Sequence, residues 1–471
     1  MPYLPEEEDF PEYSALVAAT KKPPQGARRD PVGSSTLTCG TAPSAPAESK
    51  KPGDLTVIVL DASTGRPIRG AKVSINGPKD AQKDCDRTGA AQFRGIPKGD
   101  YEIEATFRGY AQESAKQYVP PASSTQANLS LQPLTVVITE VGFSGGNFFM
   151  TKWSDDAAQR TTIINPVWTA DGARLPACYK KGWNAMKLDA RVLIFPKPTQ
   201  KESLSLRAEI ADPAIRFKKN KIPISAGATE AFVSDVLVTS GALVKQVGIL
   251  TVQVSWSYSW DDGASWEFAN ATGLHRIYVV HDKPLESPLF DLALEKACNY
   301  ANKETTADGA AGKINQGIPG ELKYDPGFLA AGHVLGYFAQ TRCLCMNNAA
   351  LMAYLCRSVG VAATMLYIWG GVSAKEQTMF SFRKRRNSFR VLVGAKDSAS
   401  LNPHFTYHVQ THAGSKDYDP SYGNVGLISL DETAPGASRR TKSANVVSGE
   451  PGGWPPWSSS TDSGWTCPHT S

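Results

Sequence analysis

Strict alternation of apolar and polar residues over short runs is the feature that most limits what this chain can become. In LTVQVSWSYSW, Leu250, Val252, Val254, Trp256, Tyr258 and Trp260 share one face and Thr, Gln and Ser fill the other, the period of a half-buried strand. LSLRAEI repeats the theme, and YEIEATF sets Tyr101, Ile103, Ala105 and Phe107 against Glu102, Glu104 and Thr106. From Leu55 the runs TVIVL, AKVSI, AQF and YEIEATF are separated by TGRPIRG, DRTG and PKGD. Gly65, Gly89 and Gly99 fall in these separators, where turns need positive φ or close approach. A chain of 471 residues exceeds one hydrophobic core and suits two to four domains. Two β-sandwich modules, 54–133 and 134–282, are therefore expected, the second immunoglobulin-like.

Composition excludes several classes. Fifty basic against 45 acidic residues give +5 with no basic stripe, so no nucleic-acid partner is implied. Arg383, Lys384, Arg385 and Arg386 read as a solvated loop, with an acidic substrate or a membrane surface as the other reading. No apolar run approaches the roughly 18 residues of a membrane span. The start, MPYLPEEEDFPEY, is acidic and proline-broken where a secretory signal is basic and then apolar. Synthesis in the cytoplasm, with any export by a signal-peptide-independent route, is expected. Residues 1–53 and 433–471 lack a sustained period and read as disordered or flexible ends. Trp454, Trp457 and Trp465 in the second of these read either as a docking motif or as packing on a neighbouring domain. The eight cysteines do not pair like a disulfide framework and read as free thiols.

The segment DASTGRPIRGAKVSI, DRTGAAQF and IPKGDYEIEATFRGY resembles the carboxypeptidase regulatory-like domain, a small transthyretin-like β-sandwich. The resemblance implies a spacing, stability or binding module without catalytic residues. SWDDGASW, Ser259 to Trp266, matches the Asp-box pattern; a structural hairpin and a glycan site are its two readings. Protein or glycan partners of the β modules are the corresponding expectation.

Helical signals start at Ser287, read as the cap, with Pro288 at the first position and Phe290, Leu294, Ala297 and Ala301 on one face to about Lys303. In TRCLCMNNAALMAYLCRSVGVAATMLYIWGG, Cys345, Ala349, Met352, Cys356 and Val359 form one helical stripe, ended by Gly360. A thiol at a helix N-terminus feels the positive end of the dipole, which favours the nucleophilic thiolate. Cys343 reads as a loop thiol and Cys356 as core. Cys343-x-Cys345 lacks the two further ligands zinc needs, and no metal or cofactor is expected. His333 reads as structural, within a helix, and His281 as part of an interdomain connection.

Downstream, FTYHVQT and KDYDPS read as a hairpin. A turn at residues 413–414 or 412–415 places His408 directly opposite Asp419, Cβ atoms about 5 Å apart. His404 lies about 13 Å up the same strand and is the lesser candidate, and His412 reads as a solvated turn residue.

These residues resemble the transglutaminase-like fold of the papain-like cysteine superfamily: a helix-capping cysteine, Cys345, is followed by Ala349, Leu351, Arg357 and Gly360, then by His408 and by Asp419 with Pro420. The resemblance covers residues 283–432 and implies an α+β cysteine domain with a Cys345–His408–Asp419 triad. Gln410 stands where the family often has an aromatic, the His-to-Asp interval is short, and no calcium-binding acidic loop is present. Gln340, five residues before Cys345, is the candidate side-chain donor to an oxyanion. The resemblance implies a protease, amidase or crosslinking acyltransferase acting on protein or peptide amides. Binding-type modules beside one reactive domain give the further expectation of a delivered effector or toxin. A peptidoglycan-directed amidase and a non-enzymatic adhesion or assembly protein with a scaffold cysteine fold are the alternatives.

Overall fold

A computed structural model describes residues 51–325, 333–369, 389–390, 404–405, 407–421, 424–425 and 443–444. Residues 51–471 cluster as one unit; within it the described residues bury three hydrophobic cores. Of the expected disordered or flexible ends, 1–53 and 433–471, residues 1–50 and all but two of 433–471 lie outside the described residues, as does the basic run 383–386, while Gly53 already belongs to a strand.

The first core belongs to seven strands: β1 (Gly53–Asp61), β2 (Lys72–Asn76), β3 (Ala81–Asp84), β4 (Ala90–Ile96), β5 (Gly99–Thr106), β6 (Glu113–Val119) and β7 (Ser124–Leu131). They form two facing sheets, β4-β1-β7 and β3-β2-β5-β6. The alternation seen in sequence is the burial pattern: Tyr101, Ile103 and Ala105 are buried and Glu102 is exposed.

The second module has β8 (Thr135–Ser144), β9 (Met150–Lys152), β10 (Thr161–Ile163), β11 (Val167–Thr169), β12 (Ala177–Lys180), β13 (Lys187–Phe195) and β14 (Glu202–Ile210). After them come β15 (Ile215–Ile224), β16 (Glu230–Ser240), β17 (Gly248–Val252), β18 (Val254–Ser259), β19 (Glu267–Ala271) and β20 (His275–Val280). An eight-stranded sheet, β11-β8-β13-β16-β15-β14-β18-β19, packs on a three-stranded one, β12-β20-β17. This corrects the immunoglobulin-like expectation, which requires two sheets of similar size. The large sheet curls until β19 meets β8, and Asn270 closes the gap. Its Oδ1 accepts the Ile138 N–H at 2.9 Å and its Nδ2 donates to the Ile138 carbonyl at 3.1 Å. Asn270→Ala leaves both groups unpaired in a buried strand, and a loss of about 2 kcal/mol in urea unfolding is expected. A loss within experimental error would mean that water takes over both bonds.

The Asp-box residues form a turn that ties the modules together. Asp261 accepts from Ser265 N–H (2.9 Å) and from the Ser259 and Ser265 hydroxyls (both 2.6 Å). Burial raises its carboxyl, but these bonds outweigh burial and hold it at about 2. Asp262 pairs with both guanidinium nitrogens of Arg108, from the first module, at 3.0 and 2.9 Å, while Trp260 Nε1 donates to the Leu134 carbonyl at 2.9 Å.

The three-stranded sheet is buried on both faces. Ala177, Tyr179, Ile277 and Val279 point into the sandwich, whereas Cys178, Tyr278 and Val280 join the helical core. HRIYVV is accordingly a near-continuous apolar run rather than an alternating one. The helical part thus shares a layer with the second sandwich.

That part comprises α1 (Asp291–Tyr300), α2 (Ala307–Glu321), α3 (Tyr337–Gln340) and α4 (Cys345–Ser358). Helix α1 begins four residues later than its expected cap: Ser287–Pro288 precede it, and Asp291 opens it with Oδ1 accepting the Leu292 and Trp153 N–H groups at 2.8 and 2.7 Å. Two short strands, β21 (Lys323–Tyr324) and β22 (Arg342–Cys343), pair in parallel. Next come β23 (Ala363–Trp369), β24 (Phe389–Arg390), β25 (His404–Phe405), β26 (Tyr407–Ala413), β27 (Lys416–Asp419), β28 (Asn424–Val425) and β29 (Ser443–Ala444). A five-stranded sheet, β28-β27-β26-β23-β29, lies against α4. Among the described residues, no helix is long and apolar enough to cross a membrane.

Candidate active site

Helix α4 starts after Leu344, whose backbone is extended, and Cys345 is its first residue. The Leu344 N–H donates to Asn347 Oδ1 at 3.3 Å and the Leu344 carbonyl accepts from Asn348 N–H at 3.1 Å, which closes the first turn. The predicted stripe, Cys345, Ala349, Met352, Cys356 and Val359, is buried, and so is nearly every other face of the helix. Helices α1 and α2 and strands β23 and β26 surround it. Cys345 itself is 3% exposed.

Cys343 is a correction: it lies in β22 with no exposed surface, and burial pushes its thiol up to about 12. Cys356 is core, its thiol pushed well up by burial. All six described cysteines are free and buried. Gln340 is the last residue of α3 and half-buried, followed by Thr341 with a left-handed φ of 58°.

The β26–β27 hairpin forms with a different turn. Ala413 pairs with Lys416, His412 with Asp417 and Thr411 with Tyr418, so the turn is Gly414–Ser415. In this register Asp419 falls opposite position 410, two residues from the expected partner His408, although 408, 410 and 412 still share one row. The cause is distant in sequence. Asp308, at the start of α2, accepts the Ser415 N–H at 2.7 Å through Oδ1 and the Ser415 hydroxyl through Oδ2. The Asp308 carbonyl accepts from the Tyr418 hydroxyl at 2.9 Å. His412 lies in β26 rather than in the turn; its half-exposed ring places Nδ1 2.8 Å from Asp417 Oδ1. Asp419 is fully buried and accepts the Ser421 N–H at 3.1 Å across the Asp-Pro-Ser turn.

The imidazoles of His404 and His408 lie outside the described side chains, which stop at Met365 on β23 and resume at Val409 on β26. The backbone still fixes levels. Thr411 Oγ1 donates to the Ala349 carbonyl at 3.0 Å, and Gly414 N–H donates to the Ala362 carbonyl at 3.1 Å beyond the end of α4. Strand β26 therefore runs alongside α4 in the same direction. Four helical residues back from Ala349 is about 6 Å, or roughly two strand residues back from Thr411. The level of Cys345 thus falls beside positions 408 and 409, with His404 more than 10 Å beyond it by the same spacing, about 3.3 Å per residue.

Two buried amides were not among the candidates read from sequence. Asn348, on α4, and Gln410, on β26, are fully buried, and neither amide makes a hydrogen bond at either end. The signal for the first was present as the polar pair Asn347-Asn348 inside an otherwise apolar helix.

The protein is thus a set of β-sandwich modules that carries a smaller α+β unit with a cysteine-headed buried helix. Residues 54–132 match the carboxypeptidase regulatory-like domain family, and the seven-stranded module is that domain. No curated protein matches the chain. Solved structures that it resembles include a candidate carbohydrate-binding protein from Bacteroides uniformis, at 8% identity, covering 49% of this chain and 100% of that one, TM-score 0.18. The major pilin SpaD of Corynebacterium diphtheriae gives 12% identity, 48% and 66% coverage and TM-score 0.21. The major pilin subunit BcpA of Bacillus cereus gives 9% identity, 49% and 70% coverage and TM-score 0.20.

Proposed function

We propose that the α+β unit is a transglutaminase-like, cysteine-dependent acyl hydrolase or transferase acting on protein or peptide amides. Its nucleophile is Cys345, its base His408 and its orienting carboxylate Asp419. One observation carries the reading. A thiol opens a buried helix that is bonded through its second turn to the strand bearing His408, and the adjacent strand ends in a fully buried carboxylate. In the reaction the Cys345 thiol gives its proton to His408 as Sγ adds to the amide carbonyl carbon. The C–N bond then breaks, the amine leaves with that proton and a thioester remains. Water or a lysine amine adds next, loses a proton to His408, and expels the Cys345 thiol. The Cys345 N–H and the Gln340 side chain are the donors assigned to the oxyanion.

Native-state labelling with iodoacetamide at pH 7, followed by peptide mass mapping, tests the reading. Cys345 should be modified at least about tenfold faster than Cys343 and Cys356, whose burial holds them as thiols. His408→Ala should abolish the difference.

Labelling indifferent to His408 would favour a second reading, a non-enzymatic adhesion or assembly protein. Its support is the near-complete burial of Cys345 and the predominance of β-sandwich in the described chain. A protein or glycan held by the β modules is the partner this reading requires. A peptidoglycan-directed amidase would use the same acyl step as the first reading. Delivery as an effector or toxin rests on architecture alone.

A further inference from the structure

The outer face of the eight-stranded sheet carries a cross-strand row that runs Lys187, Leu237, Lys218, Arg207, Ser257 and Phe268, from β13 to β19. Alternation puts this row outside, since the adjacent Leu206, Ala208, Phe217, Val236 and Trp256 fill the core of the sandwich. At its centre two cations stand directly opposite each other, Arg207 on β14 and Lys218 on β15, an arrangement that repels. Other cations of this sheet are balanced. Lys187 lies 2.8 Å from Asp235, Arg191 3.1 Å from Glu140, and Arg216 3.4 Å from Glu209, two residues along β14 from Arg207. Among the described residues neither Arg207 nor Lys218 has an ion-pair partner.

The two cations meet a ring instead. The Asp-box turn holds Trp266 by its Nε1–H, which donates to the Gly263 carbonyl at 3.0 Å. The Arg207 guanidinium lies 4.7 Å and the Lys218 ammonium 5.3 Å from the centroid of this half-buried indole. Phe268 and Leu237, on either side along the row, are 68% and 49% exposed. The face thus joins an uncompensated double positive charge to exposed apolar surface.

We propose that this face binds an acidic glycan, a chain of sugars bearing carboxylates. Arg207 and Lys218 pair with a carboxylate, and a sugar ring covers Phe268 and the edge of Trp266. A guanidinium matches a carboxylate fork to fork. The C–H face of a sugar ring takes apolar surface out of water, while its hydroxyls stay wet at the rim. An acidic peptide fits less well. Strands β15, β14 and β18 are paired on both sides, so a peptide cannot add as a further strand, and its backbone would be dried against Phe268 and Leu237 without partners. A nucleic acid carries a charge at every nucleotide and needs a longer basic track, which the ion pairs around Arg207 and Lys218 interrupt. Such a partner would serve the adhesion reading, yet the site lies on the sandwich and does not depend on the chemistry of Cys345.

Calorimetry of the full-length protein with size-fractionated polygalacturonate tests the inference, with dextran, polyglutamate and oligodeoxythymidylate as comparisons. The wild type should bind polygalacturonate, less tightly as salt rises, and the other three at least about tenfold more weakly. Arg207→Gln/Lys218→Gln should weaken binding about tenfold or more, the loss expected of one charge-assisted pair. Its melting temperature should hold, because relieved repulsion offsets the lost contacts with the indole. Phe268→Ala, at an exposed position, should weaken binding several-fold without unfolding the protein. No binding of polygalacturonate, unchanged affinity in either variant, or a sharp fall in melting temperature of the double variant would each overturn the inference. So would equal or tighter binding of a comparison polymer: polyglutamate would assign the face to an acidic protein, the oligonucleotide to a nucleic acid, and dextran to a neutral glycan. Selective labelling of Cys345 without polygalacturonate binding would keep the acyl reading and remove this inference, and binding without selective labelling would do the reverse.

Discussion

Alanine at position 357 is expected to destabilise the protein by about 3–5 kcal/mol, because it strands the Glu286 carboxylate in the interior. Arg357 Nε donates to Glu286 Oε1, and Nη2 donates to the Leu285 carbonyl at 3.1 Å. The Glu286 side chain is 0% exposed and that of Arg357 20%, so solvent screens the pair little and removing one partner leaves a buried charge. The pair clasps the last turn of α4 to the segment that joins β20 to α1. Gly360 completes the clasp. Its φ is +79°, and a Cβ there would collide with the Asp282 backbone, while the Val359 carbonyl accepts from His281 and Asp282 N–H at 3.0 and 3.2 Å. Urea unfolding of wild type, Arg357→Ala and the double variant Arg357→Leu/Glu286→Leu measures the effect. The double variant should recover most of the loss, since both charges leave together. A cost below about 1 kcal/mol for Arg357→Ala would mean that the pair does not hold the seam.

The same residues qualify what the cysteine motif means. Arg357 and Gly360 belong to the spacing that makes the helix resemble a transglutaminase-like one, yet here both act on the seam with the second sandwich. Half of that pattern is thus a folding requirement that a non-catalytic protein would share. The part of the pattern that folding does not explain is the thiol at the first position of α4, since Asp419 also serves the turn by accepting the Ser421 N–H.

What could be read from sequence was what local physics determines. The alternation in YEIEATF fixed which side chains are buried, because a strand in a small sandwich has one wet face. In LTVQVSWSYSW the alternation again marked the buried residues, but not the strand's partners. The run breaks at Gln253 into β17, in the three-stranded sheet, and β18, in the eight-stranded one. Sheet membership is decided by long-range pairs that a local pattern does not carry. The start of α1 was misplaced for a similar reason, since Asp291 is held by Trp153, far back in the chain. The hairpin register moved because Asp308 captures Ser415, which the turn sequence alone does not encode. Helix α4 read as one apolar stripe and proved buried almost all round, as the small residues Ala349, Ala350 and Ala353 let its neighbours close in.

Acid should unfold the protein in two stages, and the first should come from histidines rather than carboxylates. His275 lies in the core of the second sandwich, its Nε2 2.7 Å from Thr272 Oγ1 and its ring edge-on to Phe143 at 5.1 Å. Burial, and then the Arg174 charge, push its pKa down from 6.5 to about 4. His333 caps a short 3-10 turn, Val334–Gly336, accepting the Leu335 N–H through Nδ1 at 3.2 Å, so the helix expected around it is interrupted. Its ring packs among Trp153, Phe290 and Tyr354, and burial followed by the Arg160 charge bring it also to about 4. Between pH 6.5 and 4 the unfolded chain binds protons at these positions that the folded chain refuses. Stability is therefore intact above 6.5 and falls as pH drops through about 4. The loss is on the order of 3 kcal/mol for His275 and less for the partly exposed His333. Asp61 and Asp261, both held at about 2 because hydrogen bonds outweigh burial, contribute a second stage only below about pH 4. Urea midpoints at pH 7.5 and 4.5 separate the stages: wild type should lose several kcal/mol between them, and His275→Phe should lose distinctly less. Equal losses in the two proteins would locate the acid sensitivity elsewhere than in the sandwich core.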